Sequence, residues 1–305
     1  MTRRGNRGSP ASVRSRLLAL SKERGAEFQR VLVRYAIERL LYRLANSDHA
    51  SNFILKGATL FAVWTESPHR STKDLDLPGL GSPDPSRLVA VFEEVTSLET
   101  VPDGITFSGS PIKATEIRGS QEYDGVRLTL EARVGTARIP VQVDIGFGDA
   151  TGVPPTTVEV PPLLSDQPPP VLRGYSREVV VAEKFHAIVH LGLPNTRMKD
   201  YYDLLVLCRR FPFDGRELGR AVAATFERRG TSVPMECPDG LTDGFGRDHD
   251  KTRQWMSFFR RIGDEAAPDL QQVVREVRGF LLPVADGVLK NSCAESWPPG
   301  GPWSG

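Results

Sequence analysis

Residues 70–77 of the chain have the sequence RSTKDLDL, in which a single leucine separates the acids Asp74 and Asp76. Side chains alternate between the two faces of a β-strand, so a strand here presents both carboxylates on one face and turns Leu75 and Leu77 into a core. Two carboxylates on one face can share a divalent cation. The stretch therefore predicts a strand with a metal site, although acidic pairs are also common in turns and helix caps.

The composition is typical of a soluble protein large enough for one large or two modest domains: the 305 residues are 39% apolar and 25% charged. No segment approaches the roughly 18 consecutive apolar residues of a membrane span, and no apolar signal core follows the N-terminal arginines. Cys208, Cys237 and Cys293 are too widely spaced for a disulfide framework or a zinc site. We expect a cytoplasmic protein with no membrane partner.

The charge is unevenly distributed along the chain. Residues 1–43 contain eleven Lys or Arg and three Glu, a local net charge of +8, while the whole chain carries +1. A segment this basic can attract a polyanion such as RNA, but a solvated helix face with a flexible tail has the same composition. Composition alone leaves both interpretations open.

Hydrophobic periodicity predicts an α+β protein, with a mixed-sheet domain preceded by two helices and followed by a helical domain. Five C-terminal helices are predicted, at residues 176–191, 199–209, 215–228, 251–261 and 270–282. The predicted organisation is a disordered N-terminus at 1–11, the sheet domain at 12–152, a Pro-rich connector at 153–170, the helical domain at 171–283 and a disordered tail at 284–305.

A third acid falls on a later predicted strand. Residues 112–117, 126–134 and 139–147 have the two-residue period of β-strands, and in the last of these Asp144 shares a face with Gln142. Three acids on neighbouring strands are what two-metal phosphoryl or nucleotidyl transfer requires, and Mg²⁺ favours such hard oxygen ligands. Taken alone, Asp144 is better explained as an ordinary edge-strand or turn acid.

The segment Lys56-Gly57-Ala58-Thr59 is predicted to join a short strand to a helix. Free backbone N–H groups at such a junction favour a phosphate, and glycine permits its close approach. A simple turn glycine beside a surface lysine is the alternative. Arg70 and Thr72 could add a charge and a hydroxyl near the same phosphates.

Lys184 lies in an otherwise apolar helical segment, where an unpaired ammonium would be costly unless it met an anion such as a triphosphate. The alternatives are a lysine that reaches solvent or pairs with Glu183. Asp200 and Asp203 begin the next helix three residues apart, where acids also stabilise the helix dipole. His186 and His190 have a zinc-like spacing without a third ligand, so we predict no zinc site there.

The chain resembles the AbiEii/AbiGii family of nucleotidyltransferase toxins in the segments FILKGATL, RSTKDLDL, VQVDIGFGD, AEKFHAIVHLG and RMKDYYDLLVL. That family is related to the MenT toxins and to the DNA polymerase beta-like superfamily. The ordered matches cover about residues 12–210. One departure is Ala58, where the superfamily often has glycine or serine, which puts the phosphate contact at that position in question.

The resemblance implies a nucleotidyltransferase fold and assigns roles to individual residues. It makes Asp74, Asp76 and Asp144 ligands of two Mg²⁺ ions, with Mn²⁺ as a substitute ion, and it adds Lys184 and Asp200 to the catalytic set. The implied nucleotide-binding residues are Lys56, Gly57, Thr59, Arg70, Thr72, Lys184, Lys199 and Asp203.

The function implied by the resemblance is that of a toxin from a type IV-like toxin–antitoxin system. Such an enzyme moves a nucleoside monophosphate from an NTP to an RNA acceptor, favouring the tRNA 3′ end, and thereby blocks translation. A cognate winged-helix antitoxin encoded nearby is implied as a partner. The alternatives are transfer to a hydroxyl of a protein or small molecule, and a module that binds NTP or a partner without turnover. Arginines that could line an RNA path are Arg209, Arg210, Arg216, Arg220, Arg228 and Arg229.

Overall fold

The chain divides into two compact units, one comprising Met1–Asp149 with Pro155–Tyr175 and the other Ala150–Pro154 with Ser176–Gly305. The first unit carries the acidic motif and the second carries Lys184. The computed structural model describes residues 7–65, 74–107, 111–118, 124–148, 152–263, 266–292 and 295–304.

A mixed sheet forms the centre of the first unit. Its strands follow the order β1-β5-β4-β2, and β3 also pairs with β4. The β1–β5 pairing is parallel and the others are antiparallel, which confirms the predicted mixed sheet and α+β class. The strands are β1 (Asp74–Asp76), β2 (Ile105–Thr106), β3 (Lys113–Arg118), β4 (Asp124–Val134) and β5 (Ala137–Gly146).

Alternating burial explains why the sequence forms this sheet. Along β5 the buried residues Val141, Val143 and Ile145 alternate with partly exposed ones, so one face packs inward and the other carries the polar side chains. The β4–β5 hairpin pairs Val134 with Ala137 across a two-residue turn, which fixes the register along both strands.

Four α-helices lie in the described residues of the first unit. Helix α2 buries an apolar stripe and packs against β5, and α4 begins after its N-cap Asp84, whose carboxylate accepts a hydrogen bond from the backbone N–H of Ser86. The helices are α1 (Pro10–Glu23), α2 (Phe28–Ala45), α3 (Thr59–Trp64) and α4 (Pro85–Ser97).

Some N-terminal cations are internal. Arg39 and Arg43 are buried on α2, and Arg43 forms a bidentate pair with the buried Asp103, with its Nη1 atom 2.7 Å from Oδ2. Arg39 lies 2.8 Å from Glu38, whose pKa is raised by burial against the opposing charge of Arg39. These arginines serve the core of the first unit, so they are not part of a surface that could attract RNA.

The predicted Pro-rich connector forms ordered structure. Strands β6 (Thr156–Glu159) and β7 (Val171–Gly174) pair antiparallel, and the backbone N–H of Leu163 donates to Glu38 at 2.7 Å. The prolines of this stretch flank β6 without interrupting it, since a proline at a strand end removes no ladder hydrogen bond. The chain therefore leaves the first unit after Tyr175, later than the sequence suggested.

The second unit is helical, as predicted. Its described helices α5, α6, α7, α9 and α10 correspond to the five predicted from the sequence, and a short helix, α8, was not predicted. No helix in the described part of the chain is long and apolar enough to cross a membrane. The helices are α5 (Arg177–Leu191), α6 (Met198–Arg210), α7 (Gly215–Arg228), α8 (Asp243–Arg247), α9 (His249–Ile262) and α10 (Leu270–Lys290).

The structure departs from the predicted tail at residues 284–305. Helix α10 continues through Pro283, because Phe280, Leu281 and Val284 still bury its apolar face. Beyond it, strand β9 (Ser296–Trp297) pairs with β8 (Phe213–Asp214), and the indole N–H of Trp297 donates to the carbonyl of Cys208 at 2.7 Å. Aromatic packing, which sequence periodicity does not register, holds this segment.

Candidate active site

The parallel register of β1 and β5 brings the acids of the first unit together. Asp74 lies opposite Gln142, and Asp76 lies opposite Asp144. Leu75 is fully buried while Asp74 and Asp76 are partly exposed, so the two carboxylates share the accessible face of the strand. The sheet thus presents three acids from two adjacent strands on one surface.

The Lys56-Gly57 junction lies directly beside Asp76. The backbone N–H of Lys56 donates to the carbonyl of Asp76 at 3.1 Å, and the Lys56 ammonium lies 5.4 Å from the ring centre of the buried Tyr175. Gly57 has φ of +78°, and a Cβ atom there would lie 2.1 Å from Asp76 Oδ2. Glycine is therefore required both by the backbone conformation and by the carboxylate that it faces.

The helix that follows the junction is shorter than the phosphate argument requires. Helix α3 begins at Thr59 and has six residues, so its N-terminus supplies little of the field that a longer helix offers to an anion. Thr59 itself is partly exposed. The roles of Lys56, Gly57 and Thr59 toward a nucleotide remain predictions, and Arg70 and Thr72 lie outside the described residues.

Asp144 is held by an arginine on the neighbouring strand. Arg127 Nε and Nη2 donate to Asp144 Oδ1 and Oδ2, both at 2.8 Å, and Gln142 Nε2 lies 3.3 Å from Oδ1. The hydrogen bond and charge of Asp144 raise the pKa of Arg127, and the charges of Asp74 and Asp76 add to this effect. One guanidinium therefore experiences the field of all three acids.

The carboxylates suit magnesium chemically, but they do not converge on one ion. Within the described ranges, no three His, Cys, Asp or Glu side chains are arranged to hold a metal together. Asp74 and Asp76 offer hard oxygen donors on one face, as Mg²⁺ prefers. Asp144 does not join them, because Arg127 engages both of its oxygens.

A second acidic cluster lies within the second unit. Lys184 Nζ lies 2.8 Å from Asp200 Oδ1 and 2.7 Å from Asp203 Oδ2, and Arg197 Nε lies 2.7 Å from Asp200 Oδ2. Both carboxylates are 0% exposed. Burial acts to raise the pKa of Asp200, but the charges of Lys184 and Arg197 outweigh it and hold the pKa below its usual value.

This cluster explains how a lysine is accommodated in an apolar helix. The ammonium of Lys184 meets two buried carboxylates, while Glu183 lies 3.9 Å from Arg229. A triphosphate is therefore not needed to satisfy the charge of Lys184, and its role toward a nucleotide remains a prediction. The role of Lys199 toward a nucleotide also remains a prediction, and this lysine is exposed at the start of α6.

The two histidines of α5 are packed against each other. The rings of His186 and His190 stack with centres 5.7 Å apart, and His186 Nε2 lies 3.1 Å from the hydroxyl of Thr231. Burial lowers the pKa of His186 to about 4, and the charges of Arg229 and His190 add to the effect. His186 is therefore neutral at physiological pH.

A family profile described as "Nucleotidyl transferase AbiEii toxin, Type IV TA system" matches residues 39–276, well over half of the chain. The chain belongs to this family. The match includes the acidic motif, Asp144 and the Lys184 cluster, and it confirms the family resemblance that the sequence motifs indicated.

Two solved structures are similar to this AbiEii family member. JHP933 from Helicobacter pylori is 14% identical over 87% of this chain and 95% of its own, with a TM-score of 0.52, which shows a shared fold alone. A second H. pylori protein, provisionally described as a nucleotidyltransferase, is 14% identical over 87% of this chain and 99% of its own. Its TM-score is 0.45. No curated protein matches the chain.

Arg127 is the residue of this AbiEii-type site that motif reasoning missed. The sequence carries a signal for it, because the predicted strands at 126–134 and 139–147 are separated by a short segment that begins with a glycine. In the structure Gly135 and Thr136 form a two-residue turn, and counting outward from that turn places Arg127 opposite Asp144. The acidic motif alone does not indicate this pairing, because Arg127 lies on the antiparallel neighbour of the strand that carries Asp144.

Proposed function

We propose that this AbiEii family member is a Mg²⁺-dependent enzyme that transfers a nucleoside monophosphate from an NTP to an RNA hydroxyl, favouring the 3′ end of tRNA. Family membership supports nucleotidyl transfer as the reaction. The single observation that carries the assignment of the active site is the strand register, which places Asp144 opposite Asp76 and beside the face shared with Asp74.

In the proposed reaction, a ribose hydroxyl oxygen attacks the α-phosphorus of the NTP. The new P–O bond forms as the bond to the β-phosphate oxygen breaks, pyrophosphate leaves, and the hydroxyl proton passes to solvent. Divalent ions would neutralise charge on the attacking and leaving oxygens. Asp74 and Asp76 are the residues we assign to hold them, with Asp144 as the third ligand once its carboxylate is released.

The Lys56-Gly57 junction has a positioning role in this proposal. Because Gly57 faces Asp76 Oδ2 without a side chain between them, the backbone at this point can approach whatever the carboxylate binds. We assign Lys56 and Thr59 to the nucleotide because of the family resemblance. Their partial exposure is consistent with contact to a ligand.

In the second unit, we assign Lys184 and Lys199 to the negative charge of the nucleotide, again from the family resemblance. Asp200 and Asp203 act on Lys184 directly, since both lie within 2.8 Å of its ammonium. Two buried acids hold the ammonium of this lysine in one position. They are therefore positioning residues for whatever Lys184 contacts.

The RNA acceptor requires an exposed cationic surface. Arg39 and Arg43 are excluded because they are buried, and Arg209 is committed to a bidentate pair with Glu276. Arg216 and Arg220 on α7 are exposed and remain available for contact with phosphates. The family also implies an antitoxin as a second partner, and we propose that it is encoded nearby.

The test is incubation of the full chain with Mg²⁺, total tRNA and each NTP in turn, labelled at the α-phosphate. Label in tRNA supports the proposal, and its position after nuclease digestion identifies the acceptor end. Label in protein supports transfer to a protein hydroxyl. Retained NTP binding without label in either fraction supports a non-catalytic binding module and overturns the proposal.

A further inference from the structure

One feature of the site conflicts with its proposed chemistry: the third carboxylate is already occupied. Both oxygens of Asp144 accept hydrogen bonds from Arg127 at 2.8 Å. In this arrangement Arg127 Nε and Nη2 hydrogen-bond to the two carboxylate oxygens with which Asp144 would coordinate a metal ion. The three acids consequently do not form a common metal site among the described residues.

The Arg127–Asp144 pair is exchangeable. The Arg127 side chain is 42% exposed and that of Asp144 is 23% exposed, so water screens their attraction. The Arg127–Asp144 ion pair forms when no other anion is near. An anion that binds the guanidinium more strongly than Asp144 can replace this carboxylate. This situation differs from that of Lys184, whose two carboxylate partners are fully buried.

A nucleotide carries the group that competes best for Arg127. The planar guanidinium matches the oxygens of a phosphate as well as those of a carboxylate, and a triphosphate carries more negative charge than one aspartate. If phosphate oxygens engage Arg127, the carboxylate of Asp144 becomes free to turn toward the ligands on β1. Nucleotide and metal would then each favour the binding of the other.

We propose that Arg127 holds Asp144 away from the metal ligands until the phosphates of an NTP engage the guanidinium. Arg127 thereby couples divalent-cation binding to nucleotide binding and is a positioning residue for Asp144. This inference rests on the proposed function for the presence of a metal and an NTP. It extends that function by making the three-carboxylate site depend on substrate.

The size of the effect follows from competition. A cation that recruits Asp144 must first displace Arg127, so its apparent affinity falls by the fraction of molecules in which Asp144 is free. For an ion pair of this exposure we expect roughly a fivefold effect. Arg127→Gln removes the competing charge while keeping a polar side chain of similar length on the same strand.

The experiment is a titration of the full chain with Mn²⁺, monitored by the electron paramagnetic resonance signal of the free ion, with and without a non-hydrolysable NTP analogue. We expect Arg127→Gln to bind Mn²⁺ about fivefold more tightly than the wild type without nucleotide. The analogue should strengthen Mn²⁺ binding in the wild type and do so less in the variant. In an Asp144→Asn background, the gain from Arg127→Gln should be much smaller, because only the charge interaction of Arg127 with Asp74 and Asp76 remains.

Arg133→Gln is the matched control. Arg133 lies on the same strand, is also 42% exposed and pairs with Glu131 at 2.8 Å, but it is six residues away from Arg127. The Arg133→Gln variant should have the same Mn²⁺ affinity as the wild type. Unchanged or weaker Mn²⁺ binding by Arg127→Gln without nucleotide overturns the inference, as does an effect of undiminished size in the Asp144→Asn background.

The outcomes separate this inference from the proposed function. If Mn²⁺ binding behaves as expected but no label reaches RNA, the acceptor assignment fails and the coupling by Arg127 stands. If RNA is labelled but Arg127→Gln leaves Mn²⁺ affinity unchanged, the function stands and the coupling fails. If neither protein binds Mn²⁺, the inference and the metal requirement of the proposed function both fail.

Discussion

The molecule contains two clusters of aspartates in opposite environments. Asp74, Asp76 and Asp144 in the first unit are partly exposed, and Arg127 is the cation paired with Asp144. In the second unit Asp200 and Asp203 are 0% exposed, and two cations, Lys184 and Arg197, neutralise them. The first cluster lies at the accessible face of the sheet, whereas the second is neutralised inside the protein.

This difference shows what each cluster is able to do. Partly exposed acids can attract a ligand cation, and they cost little to the fold because water solvates them. Buried acids must be neutralised by the protein itself, so the fold depends on every member of the cluster. The same residue type is therefore solvated in one unit and part of the buried structure in the other.

Lys184→Met tests the buried cluster and has the largest expected effect. It removes the cation that contacts both Asp200 and Asp203, leaving buried carboxylates without adequate compensation. Loss of one partner from a buried ion pair typically costs about 3–5 kcal/mol in the free energy of unfolding. Equilibrium urea unfolding measures this change.

Two further variants sharpen the test of the buried cluster. The exposed pair of Lys290 and Asp286 is the control, and Lys290→Met should cost less than about 1 kcal/mol. Adding Asp203→Asn to Lys184→Met should restore part of the stability, because Arg197 still pairs with Asp200. Equal costs for Lys184→Met and Lys290→Met would show that the buried cluster is not structurally required.

Asp76→Asn tests the exposed cluster with the opposite pattern of effects. The side chain keeps its size but loses the charge that we assign to metal binding. We expect nucleotide transfer to fall by at least about 100-fold, with a change in unfolding free energy below about 1 kcal/mol. Initial rates of label transfer and urea unfolding of the same preparation measure the two effects.

Glu116→Gln is the control for this substitution, because Glu116 is an exposed acid on β3 of the same sheet. It should leave transfer at the wild-type rate. Full activity of Asp76→Asn would remove this residue from the proposed active site. A large decrease in the unfolding free energy of Asp76→Asn would instead show that the first cluster, like the second, is required for stability.

The comparison also shows which features the sequence could predict. The alternation of Asp74, Leu75 and Asp76 predicted which side chains are buried, because a two-residue period depends only on local backbone geometry. The long helices of the second unit were predicted because the helical period likewise depends only on local backbone geometry. The pairing of Lys184 with Asp200 and Asp203 was not predicted, because it joins residues on two helices.

Other omissions have a common physical cause. Arg127 reaches Asp144 through strand register, and Trp297 is held through aromatic packing and a hydrogen bond to Cys208. Such contacts depend on how separate elements meet, which periodicity within one element does not record. The prolines around β6 similarly led to the prediction of a connector. In the structure β6 pairs with β7, which lies beyond these prolines in the sequence.

Gly57→Ala probes how closely the first cluster depends on local backbone. The positive φ alone should cost about 1–2 kcal/mol in unfolding free energy, and the added methyl group must displace the Asp76 carboxylate. Gly25→Ala is the matched control, since Gly25 has φ of +59° with open space around a Cβ atom. Both variants should lose stability, but transfer activity should fall only for Gly57→Ala.

His186 extends the comparison from paired charges to protonation. The pKa of His186 is lowered by burial from 6.5 to about 4, so the folded state favours the neutral ring. The unfolded chain binds this proton more readily, and stability must fall as the pH falls from about 6.5 toward 4. His186 contributes its full stabilisation above this window and none below it.

Because the His186 ring retains some contact with solvent, we expect this contribution to be roughly 2 kcal/mol, less than the full shift implies. Urea unfolding between pH 7 and pH 4 should show a shallower decline for His186→Gln than for the wild type. If His186→Gln keeps the wild-type slope, other groups titrate in this window. The expected result would show that the second unit neutralises buried polar groups in two ways, by pairing at Lys184 and by deprotonation at His186.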